Sequence, residues 1–315
     1  MASKKKIVMY FKKERPGKDP FFKFGKKRKT YHYFFQKGCD LGFDMYLASG
    51  SEAYLGGFDF NSPAFFNGTE FKKISETITA DAIYDRSGGT KFPTKEIDDK
   101  VLNCSEFKIL CNDKNKMYEY FGKFMPKSFE LKDIKKFNKL LHEFDSDDLV
   151  VLKPAKGLGG KGIVIDSPSE LKKITLEENA DYVIQEFIDT SCGIKGITEG
   201  RHDLRVVIAN GKIVLSHVRT PREGSYLANA AQGGSLSEVP LKKIPQEIIN
   251  ITEKIKSLVD KKFKNPVYSI DFGMTKKGPY VFELNDQIGF PRNEMKNGKK
   301  FIDEILNSLI NISDR

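Results

Sequence analysis

Three oxygen-bearing side chains lie near the end of the chain, where two apolar runs can bring them together. Asp271 sits in Ser269-Ile270-Asp271-Phe272-Gly273, and Glu283 and Asn285 in Val281-Phe282-Glu283-Leu284-Asn285. In an extended run, residues two apart leave the same face, so Glu283 and Asn285 share one. Lys276-Lys277-Gly278-Pro279 between the runs is a turn signal. A hairpin about Lys277 or Gly278 sets Asp271 opposite Glu283 or Asn285. Hard oxygen donors without His or Cys suit Mg²⁺, which substrate phosphates and water usually complete. Taken alone, the same residues also fit the solvated face of an ordinary hairpin.

A second chemical feature lies upstream. Residues 150–165 place Lys153-Pro154-Ala155-Lys156-Gly157-Leu158-Gly159-Gly160-Lys161-Gly162 between two apolar runs. Glycines let backbone N–H groups approach phosphate oxygens, and lysines supply charge. Gly157, Gly159 and Gly162 fit a dinucleotide fingerprint by letter, but that motif must open a helix. Here Ile163-Val164-Ile165 reads as strand. No Gly-Lys-Ser/Thr follows at P-loop spacing. Gly157 to Val164 and Asp271-Phe272-Gly273 also spell two protein-kinase motifs. The His-Arg-Asp and Ala-Pro-Glu elements are missing, and residues 245–259 read instead as an amphipathic helix.

In this order, the motifs resemble the ATP-grasp superfamily, specifically its glutathione-synthetase and RimK-like branch, over about residues 101–285. The resemblance implies an α/β (α+β) ATP-grasp fold with an N-terminal α/β domain over 1–104 and an ATP-grasp domain over 105–315. ATP would lie between a central or lid subdomain (105–186) and a C-terminal one (187–315). Lys114 and Lys153 would reach the phosphates, and Gly159, Gly160, Lys161 and Gly162 would belong to a mobile lid. Gln185, Glu186, Phe187 and Ile188 fall on the inter-domain hinge beside adenine, with Asp189 assigned to the ribose. Asp271, Glu283 and Asn285 would hold Mg²⁺, two ions with Mn²⁺ able to substitute. Arg205 and Arg219, on neighbouring strands, would face the γ-phosphate and acylphosphate oxygens. Two departures stand out: residues 190–202 are long and Gly-rich, and Asp286-Gln287-Ile288-Gly289-Phe290-Pro291 replaces the usual ending after the Asn.

The implied activity is an ATP-dependent carboxylate–amine ligase forming an amide through an acylphosphate, with ADP and phosphate released. A small-molecule kinase and a non-catalytic nucleotide-binding module are the rival classes. The partners would be a small-molecule or peptide carboxylate and an amine. Arg86, Asn229, Gly233, Gly234 and Arg292 are the candidate substrate residues, with Asp85-Arg86 ending an apolar run like a strand leading into a binding loop. A surface salt bridge is the blander account of that pair.

At 315 residues with 39% apolar content and 25 Phe, the chain can bury a sizeable core. Cys39, Cys104, Cys111 and Cys192 lack paired metal spacing and read as reduced packing residues of a cytoplasmic protein. No apolar run approaches the roughly 18 residues of a membrane span. Residues 1–40 hold 13 Lys/Arg against 3 Asp/Glu, a balance equal to the net charge of +10 for the whole chain. A Lys-rich surface, a rim that steers an acidic substrate such as a glutamate-containing one, and a nucleic-acid surface all fit that bias, the last least well. The oligomeric state, including a homo-oligomer, stays open.

The predicted elements are a strand at 6–11, a strand ending at Asp85, and helices over 117–124 and 133–144. A sheet with a turn at Asn210-Gly211, a helix over 246–262, the hairpin and a last helix over 299–312 follow. His202 and His217 read as structural.

Overall fold

The computed structural model describes residues 3–88, 98–157, 160–228, 233–264 and 266–314. The chain opens with β1 (Lys6–Phe11), α1 (Arg28–Asp40) and β2 (Asp44–Ser49). Short strands β3 (Tyr54–Gly56), β4 (Asp59–Asn61), β5 (Ala64–Phe66), β6 (Phe71–Lys73) and β7 (Thr77–Thr79) precede β8 (Ala82–Asp85). The main N-terminal sheet runs β6-β5-β2-β1-β8, and β1 is parallel to both β2 and β8. Ile7 to Phe11 are buried on both faces, as expected of an inner parallel strand, which reads as a continuous apolar run. α1 lays Tyr31, Phe34 and Phe35 on that sheet. A Cβ at Gly38 would sit 2.3 Å from Met45 Sδ, so glycine permits this close helix–strand approach.

α2 (Ser105–Asn112) and α3 (Lys114–Phe121) follow, the second capped by Asp113, whose carboxylate accepts from Asn115 N at 3.1 Å. β9 (Ser128–Leu131), α4 (Phe137–Leu141), β10 (Val150–Pro154), β11 (Val164–Asp166), α5 (Pro168–Leu171) and β12 (Tyr182–Glu186) come next. Their strands form an antiparallel sheet in the order β11-β10-β12-β9. The helix predicted over 133–144 is shorter: Ile134–Lys136 is a 3-10 turn capped by Asp133, and only Phe137–Leu141 is α-helical. Its buried Phe137 and Leu141 supply one turn of apolar face.

β13 (Asp203–Ala209), β14 (Lys212–Thr220), β15 (Ser235–Glu238), α6 (Gln246–Lys262), β16 (Tyr268–Thr275), β17 (Gly278–Asn285) and α7 (Gly298–Ser313) complete the chain. The sheet order is β15-β14-β13-β16-β17, all antiparallel. Asn210 (φ 50°) and Gly211 (φ 69°) are both left-handed, which the two-residue loop between β13 and β14 requires. Period-two alternation divides this sheet. Leu204, Val206, Ile208, Ile270 and Phe272 join the core under α6, together with Phe107 of α2 and Met117 of α3. Val207, Ala209 and Leu215 on the other face share one core with α7 and the N-terminal sheet, so apolar packing crosses the 104/105 division. Among the described residues no helix is long and apolar enough to cross a membrane.

Candidate active site

The C-terminal sheet builds a ladder of charges from backbone register. Asp203 faces Arg219 across β13 and β14, Arg205 faces Asp271 across β13 and β16, and Asp271 faces Glu283 across β16 and β17. The last pairing depends on a bulge. From the turn, Thr275 to Phe272 pair with Gly278 to Val281, a register that would carry on to set Asp271 against Phe282. The shift between Asp271 and Phe272 inserts one residue and sets Glu283 opposite Asp271, on its face.

Asp271 is fully buried, and Arg205 grips it in a bidentate fork, Nε to Oδ1 and a terminal nitrogen to Oδ2, both at 2.6 Å. Arg219 donates to the same Oδ2 at 2.6 Å and also pairs with Asp203. Asn285 Nδ2 bridges Asp271 Oδ2 at 3.2 Å and Glu283 Oε1 at 3.1 Å. Burial opposes ionisation of Asp271, but the two guanidiniums win and hold it well below the usual carboxylate range. Asp203, buried beside that charge, is pushed up to about 7, because burial outweighs Arg219. Burial, then Arg205 and Arg219, push His217 down to about 3; it is a neutral ring set among cations.

Across the cleft, Lys153 on β10 donates from Nζ to Gln185 Oε1 at 2.8 Å, and Gln185 Nε2 donates to Ser128 Oγ at 2.7 Å. Gln185 therefore spends its amide on orienting Lys153. Burial lowers Lys153 to about 8, with Glu283 opposing and Lys114 assisting. Lys114 Nζ donates to Gly157 O at 3.1 Å, and burial also lowers its pKa. Both lysines line one cleft with Glu283, Gly160, Lys161, Gln185, Glu186, Phe187, Ile188 and Asp203. Gly162 (φ 72°) packs its backbone on Pro154.

Some candidate residues are placed differently from the sequence reading. Arg205 and Arg219 bond the carboxylate of Asp271 rather than facing open cleft, because their strands flank it. Asp189 does not line the cleft; its carboxylate accepts from Ser191 N at 3.1 Å and Oγ at 2.6 Å, a turn that satisfies it locally. Asp85 is no surface salt bridge, since it is buried and paired with Lys108 at 2.6 Å. A Cβ at Gly234 would lie 2.4 Å from Ala228 O, so two backbones meet there. Cys192 is exposed rather than packed, and Gly159 and Asn229 lie outside the described residues. Arg86 and Arg292 sit on the N-terminal side.

Sequence reasoning missed Asp203, although it stands two before Arg205 on one strand and so shares its face. It also missed Tyr226, whose ring lies 5.1 Å from Phe187 and 4.7 Å under the Arg201 guanidinium at the mouth of the cleft.

As to metal, the donors Asp271, Glu283 and Asn285 are all oxygen-bearing and in mutual contact, a chemistry that fits Mg²⁺. No cluster of three His, Cys, Asp or Glu ligands exists among the described residues, so Asn285 has to complete the set. Its nitrogen now faces both carboxylates, and holding a cation calls for the amide turned so that its oxygen does.

A curated "Probable alpha-L-glutamate ligase" from Psychromonas ingrahamii is 29% identical over 154 residues, covering 48% of this chain and 46% of that protein. One of the same description from Parasynechococcus marenigrum is 27% identical over 154 residues, covering 48% of this chain and 30% of that one. The chain thus spans about half or less of the length of these relatives. Among solved structures, D-alanyl-alanine synthetase A from Vibrio cholerae superposes with a TM-score of 0.64 at 13% identity, covering all of both chains. A RimK domain ATP-grasp protein from Sphaerobacter thermophilus gives 0.57 at 14%, covering 98% of each. These structures show the ATP-grasp fold. The RimK-like ATP-grasp domain matches residues 121–309, more than half of the chain, and the protein belongs to that family.

Proposed function

We propose that the protein is an ATP-dependent carboxylate–amine ligase that makes an amide and releases ADP and phosphate. The observation that carries this reading is the pair of desolvated lysines, Lys153 and Lys114, facing Glu283 across the cleft between the central and C-terminal sheets. Desolvated cations with no carboxylate bonded to them among the described residues favour a polyphosphate, and Glu283 beside them favours the cation that accompanies it. The substrate portion is placed in residues 1–104 and the nucleotide halves in 105–186 and 187–315. α2 and α3 pack into the C-terminal core. The four cysteines are free, which suits a reducing cytoplasm.

A carboxylate is a poor electrophile, so one of its oxygens first attacks the γ-phosphorus and ADP leaves. The amine then attacks the acyl carbon, and the C–O bond breaks to release phosphate. Lys153 and Lys114 hold the phosphates, and the hinge around Glu186 to Ile188 receives the base. Arg205 and Arg219 keep Asp271 ionised. Asp271, Glu283 and Asn285 would hold Mg²⁺, two ions in this reading with Mn²⁺ able to substitute, and bound metal would supply charge neutralisation for the phosphates. A lid over residues 156–162, of which 158 and 159 lie outside the described residues, would exclude the water that otherwise hydrolyses the acylphosphate.

The test uses ¹⁸O-labelled carboxylates with ATP, Mg²⁺ and a panel of amines. A ligase moves one label into phosphate and requires the amine for turnover. A stable phosphorylated product with no amine requirement identifies a kinase and overturns the reading.

A further inference from the structure

The strongly basic first 40 residues resolve into cations of two kinds. Lys26 pairs with Glu294 at 3.7 Å, and Arg28 pairs with Asp19. Lys27, between them, makes no ion pair among the described residues and is half-buried. Its side chain crosses to the loop after β17: a Cβ built on Gly289 would lie 2.8 Å from Lys27 Nζ. The backbone is stitched to the same loop by Asn293 N donating to Lys26 O at 2.6 Å and Thr30 Oγ1 donating to Pro291 O at 2.9 Å. Lys27 is therefore held at the edge of the loop that begins right after Asn285.

Two further cations converge there. Arg86 lies against the Tyr84 ring at 5.3 Å and donates to the Tyr84 hydroxyl at 3.4 Å. Its Nε is buried with no hydrogen-bond partner among the described residues. Asp85, the obvious counterion, is taken by Lys108. Asp286 acts on Arg86 only from a distance, with its own oxygens bonded to Asn112 and Gln287. Tyr31 and Tyr84 both stack on Phe290, at 4.3 and 6.0 Å, which fixes this wall rigidly. Arg292, two residues beyond Phe290, is half-buried and likewise unpaired among the described residues. The lysine is held below its ordinary range first by burial and then by Arg86, Arg292 and Arg205. Asp271 offsets Arg205, and Asp286 and Asp85 act on Arg86 from a distance, but no carboxylate is bonded to Lys27, Arg86 or Arg292 among the described residues. Like charges gathered at partial burial cost stability unless an anion joins them.

We propose that Lys27, Arg86 and Arg292 form a second anion subsite beside the activating centre, so that the acid substrate is a short dicarboxylate whose second carboxylate they hold. This rests on the reading of the cleft as a carboxylate-activating site. The two carboxylates must be close together, because the loop that meets Lys27 at Gly289 begins directly after Asn285 of the activating centre. Lys27 and Arg86 lie outside the residues matched to the family and Arg292 lies inside them, so this subsite joins the N-terminal portion of the chain to the loop after β17. It also gives the basic segment one specific task, done by one lysine, with the remaining lysines left as surface.

The experiment compares glutarate with its monoamide, glutaramate, in the full chain with ATP and Mg²⁺, using hydroxylamine as the amine and reading hydroxamate. Melting shifts by the two acids are read in parallel with ADP and Mg²⁺ present. Wild type should prefer glutarate at least about tenfold, the worth of one charge-assisted bond. Lys27→Gln should lose about tenfold in kcat/KM for glutarate alone, and Gly289→Ala, which displaces the ammonium, should do the same. With no ligand, Lys27→Gln should melt no lower than wild type, since it relieves repulsion. The exposed-site control Lys29→Gln should change neither acid. Equal losses for both acids would show that the cations hold only the reacting carboxylate, and would overturn the proposal. A lower melting point with the glutarate preference kept would do so too, as would equal or absent shifts by the two acids. A glutarate-specific melting shift without any hydroxamate or phosphate release would leave the subsite standing and sink the ligase reading.

Discussion

On the C-terminal sheet Asp271 is ringed by Arg205, Arg219 and Asn285, so charges of both signs meet within hydrogen-bond distance. Facing it, Lys153 and Lys114 bond only an amide oxygen and a backbone carbonyl, and Lys27, Arg86 and Arg292 have no ion pair among the described residues. The first wall is complete as folded and needs its parts for stability and chemistry together. The second carries cations with no carboxylate bonded to them among the described residues, and an anionic ligand would supply that partner. Removing a charge should therefore have opposite effects on stability in the two places.

The largest effect is expected at Asp271→Asn. It takes the carboxylate from between two guanidiniums, so turnover should fall by about 100-fold or more, and stability by about 3–5 kcal/mol as in broken buried pairs. Urea unfolding and phosphate release measure both. An unchanged midpoint would mean that the ring of charges is not a structural unit.

Glu283→Gln sharpens the contrast, because Glu283 makes no ion pair among the described residues and accepts from Asn285. Turnover should drop about 100-fold while stability stays within about 0.5 kcal/mol. Full activity would remove Glu283 from the metal site.

Lys153→Met should weaken nucleotide binding by about tenfold or more, the worth of a charged hydrogen bond, yet raise the melting point of the empty protein. The pH dependence follows from a folded pKa of about 8, below the unfolded value of about 10.4. Between those values the unfolded chain holds the proton and the folded one does not, so the Lys153 contribution makes stability rise with pH across that window. Phosphates pull the lysine back up. Nucleotide affinity should be flat below pH 8 and fall above it with proton uptake, which calorimetry in buffers of different ionisation enthalpy detects. Affinity constant to pH 10 would place the phosphates away from Lys153. The smallest change is expected at exposed Lys29: Lys29→Gln should stay within about 0.5 kcal/mol.

Local pattern carried much of the fold. Helix 246–262 and the turn at Asn210-Gly211 follow from apolar spacing and from residues tolerant of positive φ, both properties of short stretches of backbone. The same local logic overextended the helix at 133–144, where the segment behind the Asp133 cap forms only a 3-10 turn and one short α-helical stretch.

Alternation along β13 and β17 puts Arg205 with Asp203, and Glu283 with Asn285, on common faces before any tertiary contact forms. Sequence alone thus determined which oxygens and cations are available and which neighbours share a side. Tertiary structure decided the rest. The bulge at Asp271 and Phe272 chose Glu283 over Phe282 as the partner of Asp271, a one-residue shift that no pattern of letters encodes. Packing also separated Lys26, Lys27 and Arg28, three adjacent cations, into two with ion pairs and one with none among the described residues. The physical reason is reach. Periodicity is set by a few consecutive dihedral angles, whereas a charge is compensated or left bare by groups far away in the chain, through burial and register that exist only once the sheets have met.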